Sequence, residues 1–523
     1  MADRSGPISA RPHWAGLLAA ALLLALGLGS LGAVLVWAGG IGALSNADFA
    51  ALRFTLIQAL LSALLSCVLA VPLARALARR HFVMRGLWVT LLSAPFILPV
   101  IVAVMGLLVV FGRAGVVNML SGFWNGPQIS IYGLSGVVLA HVFFNLPLVT
   151  RMLLHGWLAI PAEQFRLADS LAFTPRDRFR LIEWPMLRGL MPGAFALVFL
   201  ICTTSFAVAL ILGGGPKATT VELAIYQAFR FEFDLGHAAI LAVLQIALGL
   251  AAALWAYGAR APRDVAQGLD RTRILPAPAG LPARLLDGVI LGAASLFIIG
   301  PMVAIVLNGV AGLGDLTSSL WPAILRSMAV AMAAMLITLA LAVALSAAIT
   351  ARPKLAWLFE GIIYMMLAVS PLVIGTGLFL LIFPVIDPVS VALPITALIN
   401  AALALPFVVQ VILPAYRQSE ARFGRLADQL GLSGVDRLRW VILPRLSRPL
   451  GFGAGLAAAL SIGDLGVVAL FADPSQPTLP LYTYQLMGAY RTDAAAGAAL
   501  VLLGLTLATF WLFDKGGRTH ADT

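Results

Sequence analysis

The chain has 523 residues, of which 61% are hydrophobic and only 11% are charged. Soluble domains are about 45–50% apolar and about 25% charged, so this composition excludes an ordinary soluble protein and indicates a polytopic membrane protein. The 34 Lys and Arg residues exceed the 23 Asp and Glu residues. In a membrane protein this excess collects in cytoplasmic segments, so it does not point to nucleic-acid binding.

Apolar runs near the ~20 residues that a bilayer requires predict twelve spans. They cover 14–38, 54–76, 87–112, 132–154, 191–212, 237–257, 285–308, 326–350, 357–383, 390–413, 449–471 and 495–513. The first run follows basic residues, as in a signal peptide. It is long enough to span and shows no convincing cleavage site, so we expect it to remain as the first helix. Pro147 and Pro406 predict kinks in equivalent spans of the two halves.

A stretch at 258–283 that contains proline and arginine predicts a linker between a first repeat, 1–257, and a second repeat, 284–523. Basic residues between the spans concentrate on one side, which predicts that both termini are cytoplasmic. Because six spans precede the linker, both halves enter the membrane in the same orientation. We therefore expect an all-α fold of about twelve transmembrane helices in two parallel six-helix repeats, with a pathway at their interface.

The most polar stretch of each half recurs at a constant offset of 259 residues, from Arg166 to Arg425. We call 166–185 the first repeated loop and 425–444 the second repeated loop. Each predicts a short helix, a turn and a second helix that is stopped by proline. A polar helical hairpin between apolar spans is typical of an exposed docking element. An ordinary connecting loop is the alternative, but such loops rarely keep their register across a duplication.

The repeated loops resemble the EAA loop of permease subunits in ATP-binding-cassette importers, a motif of Glu-Ala-Ala, three residues, Gly, nine residues and Ile-x-Leu-Pro. The matching residues are Ala168, Ile182 and Pro185 in the first loop, and Ala427, Gly431, Leu443 and Pro444 in the second, with Val441 at the Ile position. The departures are Arg166 and Arg425 at the Glu position, Leu167 and Leu426 at the first Ala, Ala172 at the Gly and Trp184 at the Leu.

Four further stretches are similar to one branch of that family, the fused permeases of importers for thiamine and thiamine pyrophosphate. They are 139–147, 213–227, 460–471 and 478–485. The resemblance implies a type I importer permease in the bacterial inner membrane. It also implies two copies of a separate ATPase subunit and a periplasmic binding protein that delivers thiamine or thiamine pyrophosphate. Related fused permeases that carry ferric iron are the alternative within the family.

We find no catalytic residues in the sequence. The stretch 213–219 lacks the Gly-Lys-Ser/Thr of a phosphate-binding loop, so ATP and Mg²⁺ are expected to be used by the partner ATPase and no cofactor to be bound by this chain. The six histidines have no paired spacing, which predicts no metal site. A twelve-helix secondary transporter is a second alternative, but the loop at 78–85 lacks its signature. A membrane-embedded enzyme would need a nucleophile–base pair or a metal cluster, and we find neither.

The implied docking residues belong to the two repeated loops. Leu167 and Leu426 are expected to act as apolar anchors, and four charged residues are expected to set the register. These are Arg166, Asp169, Arg425 and Asp428. A solvated surface without a partner is the alternative.

Candidate pathway residues are fewer and more ambiguous. Asp464 lies about 22 Å into the eleventh span at 1.5 Å per residue, where a carboxylate should face a cavity or a structural partner. Ser205 is its equivalent in the first half. His141 and Asn145 share a helical face and either line the pathway or bridge helices, and bridging is the favoured interpretation.

Two aromatic–amide pairs, Tyr226-Gln227 and Tyr484-Gln485, are equivalent in the two halves and are expected on the outer side. Their rings are suited to stack on a flat cationic ligand or to contact the binding protein. An aromatic belt at the membrane interface is the alternative.

Overall fold

The computed structural model describes residues 14–519 except 38–43, 81, 83–84, 87, 89–96, 214, 216–217, 259–279 and 472–474. Most of the predicted linker 258–283 therefore lies outside the described residues. Pro95, in the third predicted span, lies outside them as well. Eleven described helices are long and apolar enough to cross a membrane, or twelve if one bent pair counts as a span. The predicted all-α polytopic membrane fold is confirmed.

The first half contains ten α-helices of six or more residues within its described residues. They are α1 Trp14–Trp37, α2 Asn46–Arg79, α3 Val100–Phe111, α4 Val116–Phe123, α5 Leu134–Leu158, α6 Ala162–Ser170, α7 Trp184–Thr203, α8 Ala207–Leu212, α9 Val221–Arg230 and α10 Leu235–Gly258. The second half contains nine α-helices of six or more residues within its described residues. They are α11 Leu281–Gly312, α12 Leu320–Ala351, α13 Ala356–Ala368, α14 Pro371–Ile382, α15 Ala392–Gln429, α16 Ser447–Ile462, α17 Gly466–Phe471, α18 Leu479–Gly488 and α19 Thr492–Thr519.

The first helix of each half packs against the other half. Helix α1 crosses α14 so closely that a methyl group added at Gly377 would lie 2.3 Å from the Ser30 carbonyl oxygen. Helix α11 crosses α3 in the same way, with Pro301 O only 2.4 Å from a methyl group added at Gly106. Small residues allow this close approach of backbones between membrane helices. The two reciprocal crossings interlock the halves.

Two predicted spans, 191–212 and 449–471, are wrong in one respect, because each is broken into two helices. The first breaks between α7 and α8, at 204–206, and the second between α16 and α17, at 463–465. The ninth predicted span is bent by 88° between α13 and α14. Non-helical backbone at membrane depth is tolerated only where protein or a water-lined cavity surrounds it. The breaks therefore belong to the protein interior and not to the lipid-facing surface.

Helices α9 and α18 are short re-entrant helices, and each begins with a tertiary hydrogen bond to a longer helix of its own half. The Val221 amide at the start of α9 donates to Thr55 Oγ1 at 2.9 Å, and the Leu479 amide at the start of α18 donates to Ser327 Oγ at 2.8 Å. Thr55 lies nine residues into α2, about 14 Å from its first residue at 1.5 Å per residue. With ten residues each, these helices are too short to cross a bilayer, and the two hydroxyls satisfy amides that would otherwise lack partners.

Candidate functional site

The two repeated loops end their first helix with the same backbone geometry. Phe173 N donates to Ala168 O, and Leu432 N donates to Ala427 O, each at 2.9 Å. The residue between helix and turn adopts a left-handed conformation in both copies, with φ of +53° at Ala172 and +68° at Gly431. This is a helix C-cap that favours glycine. The glycine of the motif is thus explained by backbone geometry, and the first loop retains the geometry with a less suitable residue.

Exchanging residues at this cap should have opposite effects in the two loops. We expect Ala172→Gly to stabilise the protein by about 0.5–1 kcal/mol, because it removes left-handed strain at the cost of some unfolded-state entropy. Gly431→Ala should destabilise it by a similar amount, since open space surrounds the position and only φ opposes the methyl group. Thermal unfolding of the purified variants measures both, and a destabilising Ala172→Gly would contradict the assignment.

An equivalent ion pair closes each loop. Arg178 Nη2 lies 2.6 Å from Asp169 Oδ1, and Arg437 Nη1 lies 2.6 Å from Asp428 Oδ1. In the second loop Arg437 also pairs with Glu420. The two aspartates, which we expected to set the register with a partner, therefore hold the helix against the following turn. Their side chains remain about half exposed, so an added contact with a partner is sterically open.

The predicted stop at Pro185 and Pro444 is wrong. A π-helical turn precedes each proline, Phe179–Glu183 in the first loop and Leu438–Ile442 in the second. The chain then continues through the proline into α7 and, after a 3-10 turn, into α16. Proline is tolerated in the first turn of a helix, where its missing amide needs no partner. Each repeated loop is therefore continuous with a transmembrane helix.

The outward face of each loop helix is apolar at equivalent positions. Leu167 is 60% exposed and Leu426 is 52% exposed, whereas Ala168 and Ala427 are buried. One turn further on, Leu171 and Leu430 are exposed as well. Arg166 and Arg425 flank these leucines and are also exposed. Exposed leucines rimmed by charge are typical of a protein–protein contact, and here the pattern occurs twice.

Sequence reasoning missed a buried charged cluster that anchors the first loop. Glu183 is 2% exposed and accepts hydrogen bonds from Arg75 Nε at 2.7 Å and Arg79 Nη2 at 2.8 Å. Trp157 Nε1 donates to the same carboxylate at 3.3 Å. The equivalent of Glu183 in the second half is Ile442, which is fully buried. The two arginines, four residues apart at the end of α2, were the signal available in the sequence.

The helix breaks bring polar groups together near the middle of the bundle. Asp464 lies in the break between α16 and α17, where its Oδ1 accepts from the Gly466 amide at 3.2 Å. Its Oδ2 is buried and has no hydrogen-bond partner among the residues that the structure describes. Asn400 adjoins Asp464 and donates to Ser461 Oγ at 3.1 Å. Ser205 occupies the equivalent break in the first half, as its sequence position predicts.

His141 and Asn145 bridge helices within the first half. His141 Nδ1 lies 3.4 Å from Ser62 Oγ of α2. Asn145 Nδ2 lies 3.4 Å from Cys202 Sγ of α7 and donates to the His141 carbonyl at 2.8 Å. These contacts agree with the favoured interpretation, a role in helix packing. His141 Nε2 has no hydrogen-bond partner within the described ranges of the chain, so the bridge does not use this nitrogen.

Tyr226 lies in the protein interior and not in an aromatic belt. It is 7% exposed, and its ring packs edge-on against Phe206 at 5.2 Å and Phe231 at 5.7 Å. A methyl group added at Gly466, in the other half, would lie 3.5 Å from Phe206 Cδ1 and 3.8 Å from Asp464 Oδ1. Tyr484 lies within electrostatic range of Tyr226. Gln227 and Gln485 are half-buried on the same helices. Aromatic rings and a carboxylate therefore adjoin across the interface between the halves.

Three named relatives align with nearly the whole chain. Thiamine transport system permease protein ThiP of Brucella abortus is 39% identical over 97% of this chain and 96% of its own length. The proteins of the same name from Salmonella typhimurium and Escherichia coli are 39% and 38% identical over 100% and 89% of this chain, and over 100% and 88% of their own lengths. The molybdenum transport system permease protein ModB of Azotobacter vinelandii is 32% identical over 35% of this chain and 81% of its own length. No family model matches the chain.

Proposed function

The chain belongs to the family of thiamine transport system permease proteins, and from this premise we propose that it is the membrane-spanning subunit of an ATP-driven importer for thiamine and its phosphates. The proposal that ATP hydrolysis drives transport rests on the matching geometry of the two repeated loops. Each has a left-handed C-cap, an Asp–Arg ion pair and an exposed leucine pair. Features that serve only the chain's own packing would not need outward leucines in both copies.

We infer that each repeated loop docks one copy of an ATPase subunit, which binds and hydrolyses ATP with Mg²⁺. Both loops lead directly into broken transmembrane helices, α7 and α16. Movement of the loops by the ATPase pair would therefore be transmitted to the breaks near the middle of the bundle. The interlocked halves would rock as units and open the interface alternately to either side.

The remaining partners and the location follow from the same proposal. A periplasmic binding protein would deliver substrate at the end of the bundle opposite the repeated loops. The loops and both termini would lie in the cytoplasm, with the chain in the bacterial inner membrane. The excess of basic residues in the predicted cytoplasmic segments supports this orientation.

The substrate assignment is tested with the complex of permease, ATPase and binding protein reconstituted in liposomes. We expect ATPase activity to rise when the binding protein is loaded with thiamine or thiamine pyrophosphate, and not when ferric ion is added. Stimulation by ferric ion alone would leave the importer assignment intact but would reject thiamine as its substrate. Absence of any association with the ATPase would reject the importer assignment and would favour the alternative, a secondary transporter.

A further inference from the structure

Glu222 is a buried carboxylate whose hydrogen bonding is incomplete. It lies in the first turn of the re-entrant helix α9 and is 0% exposed. Within the part of the chain that the structure describes, neither Oε1 nor Oε2 has a hydrogen bond of normal geometry, and no cationic side chain pairs with them. A buried carboxylate without a cationic partner is costly in a membrane protein, and such residues usually mark a functional site. Helices α9 and α18 begin at Val221 and Leu479, so the residue equivalent to Glu222 in the second half is Pro480. The repeat architecture therefore does not require this carboxylate.

Among the described residues, two uncharged side chains, one from each half, approach the Glu222 carboxylate. They are Gln245 of α10, in the first half, and Ser370, in the second half at the bend before α14. Gln245 Nε2 donates one of its two N–H groups to Thr203 O at 2.9 Å, which leaves the second N–H available to the carboxylate. Ser370 Oγ accepts from the Leu372 amide at 3.1 Å. The carboxylate therefore lies where two helix breaks, one from each half, come together.

The unsatisfied atoms in this region are hydrogen-bond acceptors. Among the described residues they are the two Glu222 oxygens and Gln245 Oε1, in a residue 1% exposed. An ionised carboxylate accepts hydrogen bonds and does not donate them. An amide oxygen is likewise only an acceptor. The chemical complement of this set is a cation that carries N–H donors. Thiamine has that chemistry, since it joins a positively charged thiazolium to an aminopyrimidine.

We propose that Glu222, supported by Gln245, is a specificity-determining residue that receives the cationic substrate as it crosses the interface between the halves. The inference rests on the proposed function and adds to it a specific contact between the chain and the substrate. Because Glu222 and Ser370 belong to different halves, rocking of the halves separates them and opens the carboxylate to the pathway. Asp464, at the break on the other half, supplies a second negative charge at a non-equivalent position.

The test is the number of thiamine molecules transported per ATP hydrolysed by the full complex in liposomes. We expect Glu222→Gln to lower this ratio by about tenfold or more, because a hydrogen bond to a charged group is lost while the shape is kept. Glu222→Asp, which retains the charge, should stay within about threefold of the wild type. Glu232→Gln is the matched control, because Glu232 follows the same helix but its side chain is 60% exposed. This control should leave the ratio unchanged.

Three outcomes would decide against the inference or its premise. A wild-type ratio in Glu222→Gln would overturn the substrate contact. An equal loss of transport and ATP hydrolysis in both Glu222 variants, which leaves the ratio constant, would assign the residue to folding alone. Failure of the wild-type complex to transport thiamine would instead reject the proposed function, and it is detected before any variant is compared.

Discussion

Replacing Leu167 and Leu426 together with serine should weaken binding of each ATPase copy by about 10–10²-fold, because each copy loses one leucine contact. Burial of one leucine side chain contributes about 1.5–3 kcal/mol, and each 1.4 kcal/mol is a factor of ten in affinity. Both side chains are more than half exposed in the free chain, so the double variant should fold normally. Co-purification and ATPase stimulation, titrated against ATPase concentration, measure the effect.

The single variants provide an internal control for this prediction. Because the two loops have the same geometry, Leu167→Ser and Leu426→Ser should each produce a partial loss of comparable size. Leu313→Ser changes an exposed leucine near the end of α11 opposite the repeated loops and should have no effect on ATPase binding. Wild-type affinity in the double variant would remove the leucines from the docking surface.

Replacing Glu183 with glutamine should destabilise the protein by about 3–5 kcal/mol, since it leaves two guanidinium groups without their buried counter-charge. The side chains of Arg75 and Arg79 are only 27% and 12% exposed, so water cannot fully replace the carboxylate. The thermal midpoint and the half-life of the purified protein measure this loss. ATPase stimulation should fall as well, because the cluster ties the first repeated loop to α2.

Asp169→Asn is the matched control for Glu183→Gln. It also breaks an acid–arginine pair of the first loop, but the side chains of that pair are 28% and 53% exposed. Exposed pairs contribute about 1 kcal/mol or less. If the two variants lost the same stability, burial would not be the reason for the strength of the Glu183 cluster, and its role as an anchor would be withdrawn.

The features that the sequence predicts well are those that depend on composition and periodicity. The apolar runs locate the spans, and the duplication locates both repeated loops, down to the glycine position that the structure explains by its left-handed φ at Gly431. The pairing of Asp169 with Arg178 and of Asp428 with Arg437 was also readable in principle, since both pairs keep the 259-residue offset.

The helix breaks and the re-entrant helices could not be predicted from composition and periodicity. The break at 204–206 contains neither proline nor glycine, and tertiary hydrogen bonds hold it, including that of Gln245 to Thr203 O. Helix α9 has ten residues and a glutamate in its first turn, which is the pattern of a short surface helix. Its burial depends on Thr55, 166 positions away in the chain. Long-range contacts of this kind have no periodic signature.

The most direct measurement of the central claim is the number of ATPase subunits bound to one permease chain, determined by native mass spectrometry of the purified complex. Two equivalent loops in a single chain predict one permease with two ATPase copies, and partial loss to one copy in either single leucine variant. A complex that contains one ATPase copy, or none, would contradict the docking role of the repeated loops.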